Sequence, residues 1–363
     1  MARSSARRTS SQTDPGTLRP GASNEENEVN TNRPARRAIL ATGALLGAAS
    51  LMQTAPVFAQ GKAADVFPSR PVRMIVPFAP GGPTDIVARL LGQRLGDLWG
   101  QTVLIDNRAG AGGNLGVEIA ARAAPDGYTI LVTSSSFVVN PALYEKLRWD
   151  PFKSFVPVTN AATSPNLIVV HPSVPAKSMK DLVALVKSQP GKFSYASPGL
   201  GTTPQLSCEM LKAIAGVDIQ HVPYGGAGPA TTSVVGNQNP VGCMAQPPAV
   251  PHVQAGKLRA LAITSAKRSA SLPDVPTMVE QGFTNFVTDN MNGVFLPAGA
   301  APALVARLHA DILKALATPD LRERLQAQGL EPVGDTPQAF AAYVKQQIAQ
   351  WTKVIKDAGI KVE

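Results

Sequence analysis

Three stretches of this chain share one construction, in which glycines and a proline follow a short apolar run and precede a helical pattern. They are Pro80-Gly81-Gly82-Pro83-Thr84-Asp85, Gly199-Leu200-Gly201-Thr202-Thr203-Pro204 and Gly225-Gly226-Ala227-Gly228-Pro229. Proline suits the first turn of a helix, where its missing N–H would have had no partner. Glycine lets the backbone take positive φ and come close to a bound group. The pattern therefore offers free amide N–H groups at the positive end of a helix, a place for a carboxylate or a phosphate. The same residues also serve simply to end strands and begin helices, and one such loop alone would mean little. The first two, falling in separate halves of the chain, together nominate a site for a small anion.

Other chemistries find less support. Strand, glycine loop, helix and strand are followed by Asp106, as in a dinucleotide fold. Yet Gly81-Gly82 lacks the G-x-G-x-x-G spacing, and Pro80 and Pro83 would disturb its turn. No G-x-S-x-G elbow occurs, and His171, His221, His252 and His309 show no paired metal spacing. His221 and His252 read as surface or packing residues, and no nucleophile–base pair is visible. No catalytic residue, metal or cofactor is expected.

The elements that must position the loops alternate. An apolar run over 72–78 predicts a strand, and 84–98 an amphipathic helix with Ile86, Val87, Leu90, Leu91 and Leu95 on one face. Strands follow at 103–105 and 128–132, with a helix over 115–123 between them. The middle repeats this grammar: strands at 167–170, 193–196, 219–222 and 258–263, helices at 178–188 and 204–215. From about Ala303 the chain reads as helical, over 303–317, 319–328 and 337–358, each start marked by proline or an Asp/Thr signal. Such alternation predicts an α/β fold with mostly parallel sheets flanked by helices on both faces. Two such units imply two lobes with a ligand cleft between them. The expected division is 60–164 with 286–363 for one lobe and 165–285 for the other.

Residues 1–59 read as an export signal behind a polar extension. Arg36-Arg37 precede an apolar run from Ala38 to Met52, and Val57-Phe58-Ala59 supplies small residues for cleavage after Ala59. The run falls short of the roughly twenty apolar residues a membrane span needs. The arginine pair also fits a twin-arginine signal, and an ordinary secretory signal fits as well. A periplasmic destination follows from either.

The chain has 363 residues, 44% hydrophobic and 16% charged, which excludes a disordered polymer. Its net charge is +9, of which residues 1–59 carry +3. The remaining basic residues are dispersed and lack interleaved aromatics, so nucleic acid is not an expected partner. Cys208 and Cys243 are the two cysteines. In an oxidising compartment they are expected to pair, closing a loop of about 36 residues worth roughly 3–4 kcal/mol; two buried free thiols are the alternative.

Five runs also resemble one family. Ile75-Val76-Pro77-Phe78-Ala79-Pro80-Gly81-Gly82-Pro83-Thr84-Asp85, Asn107-Arg108-Ala109-Gly110-Ala111-Gly112-Gly113, Pro125-Asp126-Gly127-Tyr128, His221-Val222-Pro223-Tyr224 and Leu272-Pro273-Asp274-Val275-Pro276-Thr277-Met278 stand in family order. They are similar to those of the tripartite tricarboxylate transporter receptors, the Bug-type periplasmic solute-binding proteins. The resemblance runs from about Pro68 to the end. It implies a two-lobed fold like the type II periplasmic binding proteins, a small carboxylate as ligand and a membrane permease as partner, with the receptor acting as a monomer. By the same resemblance the ligand-binding residues are Phe78, Ala79, Pro80, Gly81, Gly82, Thr84 and Asp85 from one lobe, and Ser197, Gly199, Gly201, Thr202 and Thr203 from the other. Ser134, Ser135 and Ser136 follow the third strand and could add hydroxyls from the same cleft. Asp85 either favours its helix dipole, at roughly 0.3–1 kcal/mol, or discriminates among ligands; the first reading is preferred. The chain departs from the family at Met291-Asn292-Gly293 and across Asn239-Pro240-Val241-Gly242-Cys243-Met244, so the ligand's far end does not transfer. A receptor that reports its ligand state to a sensor, and an exported small-ester hydrolase, are the alternatives.

Overall fold

Strand β1 (Val72–Val76) shows why the sheet is covered on both sides. Val72, Met74 and Val76 belong to one core cluster and Ile75 to another, as the twofold alternation of a strand requires. Strand β3 (Thr129–Ser134) does the same, with Ile130 and Val132 on the first face and Leu131 on the second. Near-continuous apolar strands of this kind are found where helices pack on both faces. The computed structural model describes residues 67–284 and 286–357; the export signal expected over 1–59 lies outside them.

The first sheet runs β2 (Val103–Asn107), β1, β3, β9 (Asp289–Pro297) and β4 (Phe155–Val170). Its ladders are parallel from β2 to β3, and β9 runs antiparallel to both β3 and β4. Helices α1 (Pro83–Trp99), α8 (Pro302–Leu316) and α9 (Pro319–Ala327) cover one face. On the other lie α2 (Asn114–Ala121), α3 (Ser136–Leu143) and α10 (Pro337–Asp357).

The 16-residue β4 then passes into a second sheet, β4, β7 (Val241–Ala245), β5 (Ser194–Ser197) and β6 (Gln220–Pro223), with β8 (Arg259–Ile263) also pairing β4. Here Ile168 and Val170 face one core cluster and Leu167 and Val169 another. Helices α4 (Met179–Ser188) and α5 (Thr203–Ala215) pack on the first face, and α6 (Ala227–Val235) and α7 (Gln246–Gln254) on the second. Parallel ladders thus occupy one side of each sheet, while β4 pairs antiparallel with β9, β7 and β8. Two sheets, each covered by helices on both faces, are joined through β4.

At the passage between the sheets a buried polar cluster ties the crossing strands. The Asn166 amide donates to Ser207 Oγ (3.3 Å) and Thr288 Oγ1 (3.2 Å), and Thr264 Oγ1 donates to the Thr288 carbonyl (2.6 Å). Cys208 of α5 and Cys243 of β7 are paired through their sulfurs, with Cα atoms 6.2 Å apart. No helix among the described residues is long and apolar enough to cross a membrane.

Candidate ligand-binding cleft

The first glycine loop leads from β1 into α1. Gly82 caps that helix and Pro83 opens it, so the amides of the first turn have no partner within the helix. Asp85 does not line the cavity at this helix start. Its Oδ2 accepts from the Gly81 N–H (3.0 Å) and from Arg89 Nε (2.9 Å), and its Oδ1 from Asn107 Nδ2 (2.9 Å). Burial disfavours the charge, yet these three donors outweigh it and hold the carboxyl below its ordinary range. Asp85 therefore fixes the loop from inside its own lobe.

The second loop leads from β5 into α5, and its turn is wound around one serine. Ser197 Oγ accepts from the Gly199 N–H (3.2 Å), and Thr202 Oγ1 donates to the Gly199 carbonyl (2.7 Å). Gly201 has φ +74°, and its N–H donates to Gln205 Oε1 (3.3 Å). The third loop leads from β6 into α6 through Gly226.

These loops meet. A cavity of about 30 Å³ is lined by Gly82, Pro83 and Thr84 of α1, Thr202 and Pro204 of α5, Ala227 of α6 and Ala245, which caps α7, together with Phe78, Ser134 and Pro198. Four helices begin on this wall, and α3 begins just beyond Ser134. No charged side chain lines the cavity. Each helix start carries about half a positive charge, so several together attract an anion without an arginine or lysine.

Of the residues nominated from the sequence, Phe78, Gly82, Thr84, Ser134 and Thr202 share this cavity. Ala79, Pro80 and Gly81 stand instead at the rim, where the Ala79 N–H donates to the Gly225 carbonyl across the lobes (2.9 Å). Ser135 Oγ accepts from the Met291 N–H (2.9 Å), and Ser136 pairs with Ser134 Oγ (3.2 Å), so both brace the wall from behind. Gly199 and Gly201 shape the turn; a side chain on Gly201 would collide with Asn140 of the facing lobe. Thr203 is fully buried, with its Oγ1 unpaired.

Sequence reasoning did not nominate Pro83, Pro198, Pro204, Ala227 or Ala245 as ligand-binding residues, although Pro83, Pro204 and Ala227 stand in the glycine loops it singled out. It also missed Asn292, which accepts from Thr84 Oγ1 (3.0 Å) and donates to the Ala162 carbonyl (3.2 Å), fixing the hydroxyl at the head of α1. His221, expected as a surface or packing residue, does pack, and the structure also sets it beside a serine. Its ring stacks on Tyr195 with centroids 4.8 Å apart, and its Nε2 lies 2.6 Å from Ser197 Oγ. Distant in sequence, the two meet because β5 and β6 are adjacent parallel strands. Burial, only partly offset by Glu209, pushes the imidazole down to about 4. The neutral ring shares one hydrogen bond with the Ser197 hydroxyl, which also accepts from the Gly199 amide.

The family model described as tripartite tricarboxylate transporter family receptor matches residues 87–360. The chain belongs to that family. Protein BugT of Bordetella pertussis is 37% identical over 302 residues, 83% of this chain and 93% of BugT. Among solved structures, the periplasmic binding protein BugD aligns with TM-score 0.79 and 37% identity, over 82% of this chain and all of BugD. MatC of Rhodopseudomonas palustris, solved with bound malate, aligns with TM-score 0.76 and 35% identity, over 80% of this chain and all of MatC. The glycine loops of this receptor thus stand in a fold shared with a periplasmic binding protein and with a relative solved with bound malate.

Proposed function

We propose that this protein is an exported solute receptor that captures a small carboxylate between its lobes and delivers it to a membrane permease of the tripartite tricarboxylate type. The convergence of helix starts on a cavity without charged side chains carries this reading. Amide N–H groups of the helix starts would receive the carboxylate oxygens, and closure would follow by selection of the closed form. The expected signal over residues 1–59, cleaved after Ala59, would place the receptor in the periplasm. Asp85 serves this reading by holding the Gly81 turn.

The reading is tested by thermal unfolding against di- and tricarboxylates, aromatic and aliphatic acids, amino acids and neutral controls. A ligand at a hundredfold excess over Kd should add about 2.7 kcal/mol to stability. A shift with acids and none with neutral controls is expected; no shift with any acid would overturn the proposal.

The Ser197–His221 pair favours a second reading, hydrolysis of a small ester. Against it, Ser197 is fully buried and its hydroxyl is occupied by the ring on one side and the Gly199 turn on the other. Release of acid from an ester ligand, lost in Ser197→Ala, would favour hydrolysis; an intact ester after prolonged incubation would exclude it.

A further inference from the structure

The cavity among the helix starts, at about 30 Å³, takes a carboxylate head and little more. A second chamber of about 270 Å³ adjoins it, and Phe78 and Pro198 line both spaces. The remainder of any ligand whose head reaches the helix starts has this chamber to occupy.

The chamber's wall is chemically specific. It is built from the rings of Phe78, Tyr144 and Tyr224, from Pro198, Pro223 and Leu200, and from glycine-rich backbone. None of its lining residues is Asp, Glu, Lys, Arg or His. Arg108, two residues before the chamber's first glycine, is held by Asp106 at 2.8 Å. The Tyr224 hydroxyl already accepts from Asn239 Nδ2 at 2.8 Å. Tyr144, whose phenol burial pushes above its ordinary range, and the Tyr224 O–H remain as neutral donors for a ligand. A second carboxylate entering this space would lose water and find one helix start, that of α2 at Gly113, against the four around the first cavity. A flat apolar body would instead lie among three rings and two prolines.

Resting on the carboxylate reading above, we propose that the cargo is a monocarboxylate with an uncharged, ring-bearing remainder, seated head-first at the helix starts with its body in the Phe78–Tyr144–Tyr224 chamber. The cargo class then differs from the dicarboxylate named for MatC.

Isothermal titration calorimetry of the purified protein with benzoate, phenylacetate and cyclohexanecarboxylate, against malate, succinate and citrate, tests this directly. The monocarboxylates are expected to bind at least about tenfold tighter, a difference of about 1.4 kcal/mol. Placing a cation on the chamber wall, as Leu200→Arg, should move the malate-to-benzoate affinity ratio at least about tenfold toward malate. Tyr144→Lys makes the same test should the first variant fail to fold. A wild-type protein that binds malate or citrate as tightly as the ring acids overturns this inference and leaves the carboxylate reading standing. If no carboxylate binds at millimolar concentration, or benzamide binds as well as benzoate, the carboxylate reading falls and takes this inference with it.

Discussion

At Gly201 two demands coincide on one residue. Its φ of +74° lies where a side chain is strained, and a Cβ there would run into Asn140 of the opposite lobe. Gly82 differs, because its φ of −88° suits any residue and only the nearness of Ala227 Cβ, 3.5 Å from an added Cβ, restricts it. Gly82→Val and Gly201→Val should therefore both weaken ligand binding at least about tenfold, about 1.4 kcal/mol. The far-UV circular dichroism of both variants should be unchanged, and Gly201→Val should also lower the thermal midpoint. Asp85→Ala removes the acceptor of three donors, and should cost about 1–3 kcal/mol in denaturant unfolding. His221 yields a pH prediction. Its folded value of about 4 lies below the ordinary 6.5, so the unfolded chain binds the extra proton first. The stability associated with the neutral ring is present above 6.5 and is lost as pH falls toward 4. His221→Gln should flatten the stability profile across that window, measured by urea unfolding at successive pH values.

At the scale of elements, the Cys208–Cys243 pair joins a helix to the strand beneath it. With 35 residues of separation, opening the pair should cost roughly 3–4 kcal/mol on loop entropy, seen as a lower thermal midpoint in reductant or in Cys208→Ser/Cys243→Ser. This scale also shows what the sequence disclosed. Strand β1, the first glycine loop and α1 were legible because an apolar alternation stops at Gly and Pro and resumes with a helical period. The second loop and α5 were legible for the same reason. Strand β4 was legible only over 167–170. The stretch before it carries Pro157, Asn160, Ser164 and Pro165, the vocabulary of loops, and two register irregularities against β9 fall at Pro157 and Asn160. Helices α3 and α7 were hidden by Pro141 and by Pro247, Pro248 and Pro251, although α3 keeps a proline in its interior. In the cleft, the backbone amides could be inferred from loop composition. The Thr84–Asn292 bond could not, since it spans 208 residues and depends on β9 lying beside β3 and β4.

For the whole molecule, the relevant equilibrium is between open and closed lobes. In the structure the Ala79 N–H donates to the Gly225 carbonyl across the cleft. Opening must break this bond. The Ala79 amide should therefore exchange quickly without ligand and become protected on binding, while amides of β1 stay protected throughout; hydrogen exchange read by mass spectrometry distinguishes the two. Equal exchange at Ala79 with and without a saturating ligand would show that closure does not accompany capture.

The surfaces that meet on closing are almost bare of side chains. Gly112 lies against the Leu200 carbonyl and Gly228 against the Pro80 carbonyl, each too near to admit a methyl group, and Gly226 against the backbone of Ala79, where a methyl group would be tight. A seam of main chain on main chain has no rotamers to freeze and no side-chain chemistry to match. It shuts in the same way whatever lies inside. Phe78, Tyr144, Leu200 and Tyr224 can then change with the cargo while the closing surfaces stay fixed, so the lock can be rekeyed without refitting the door.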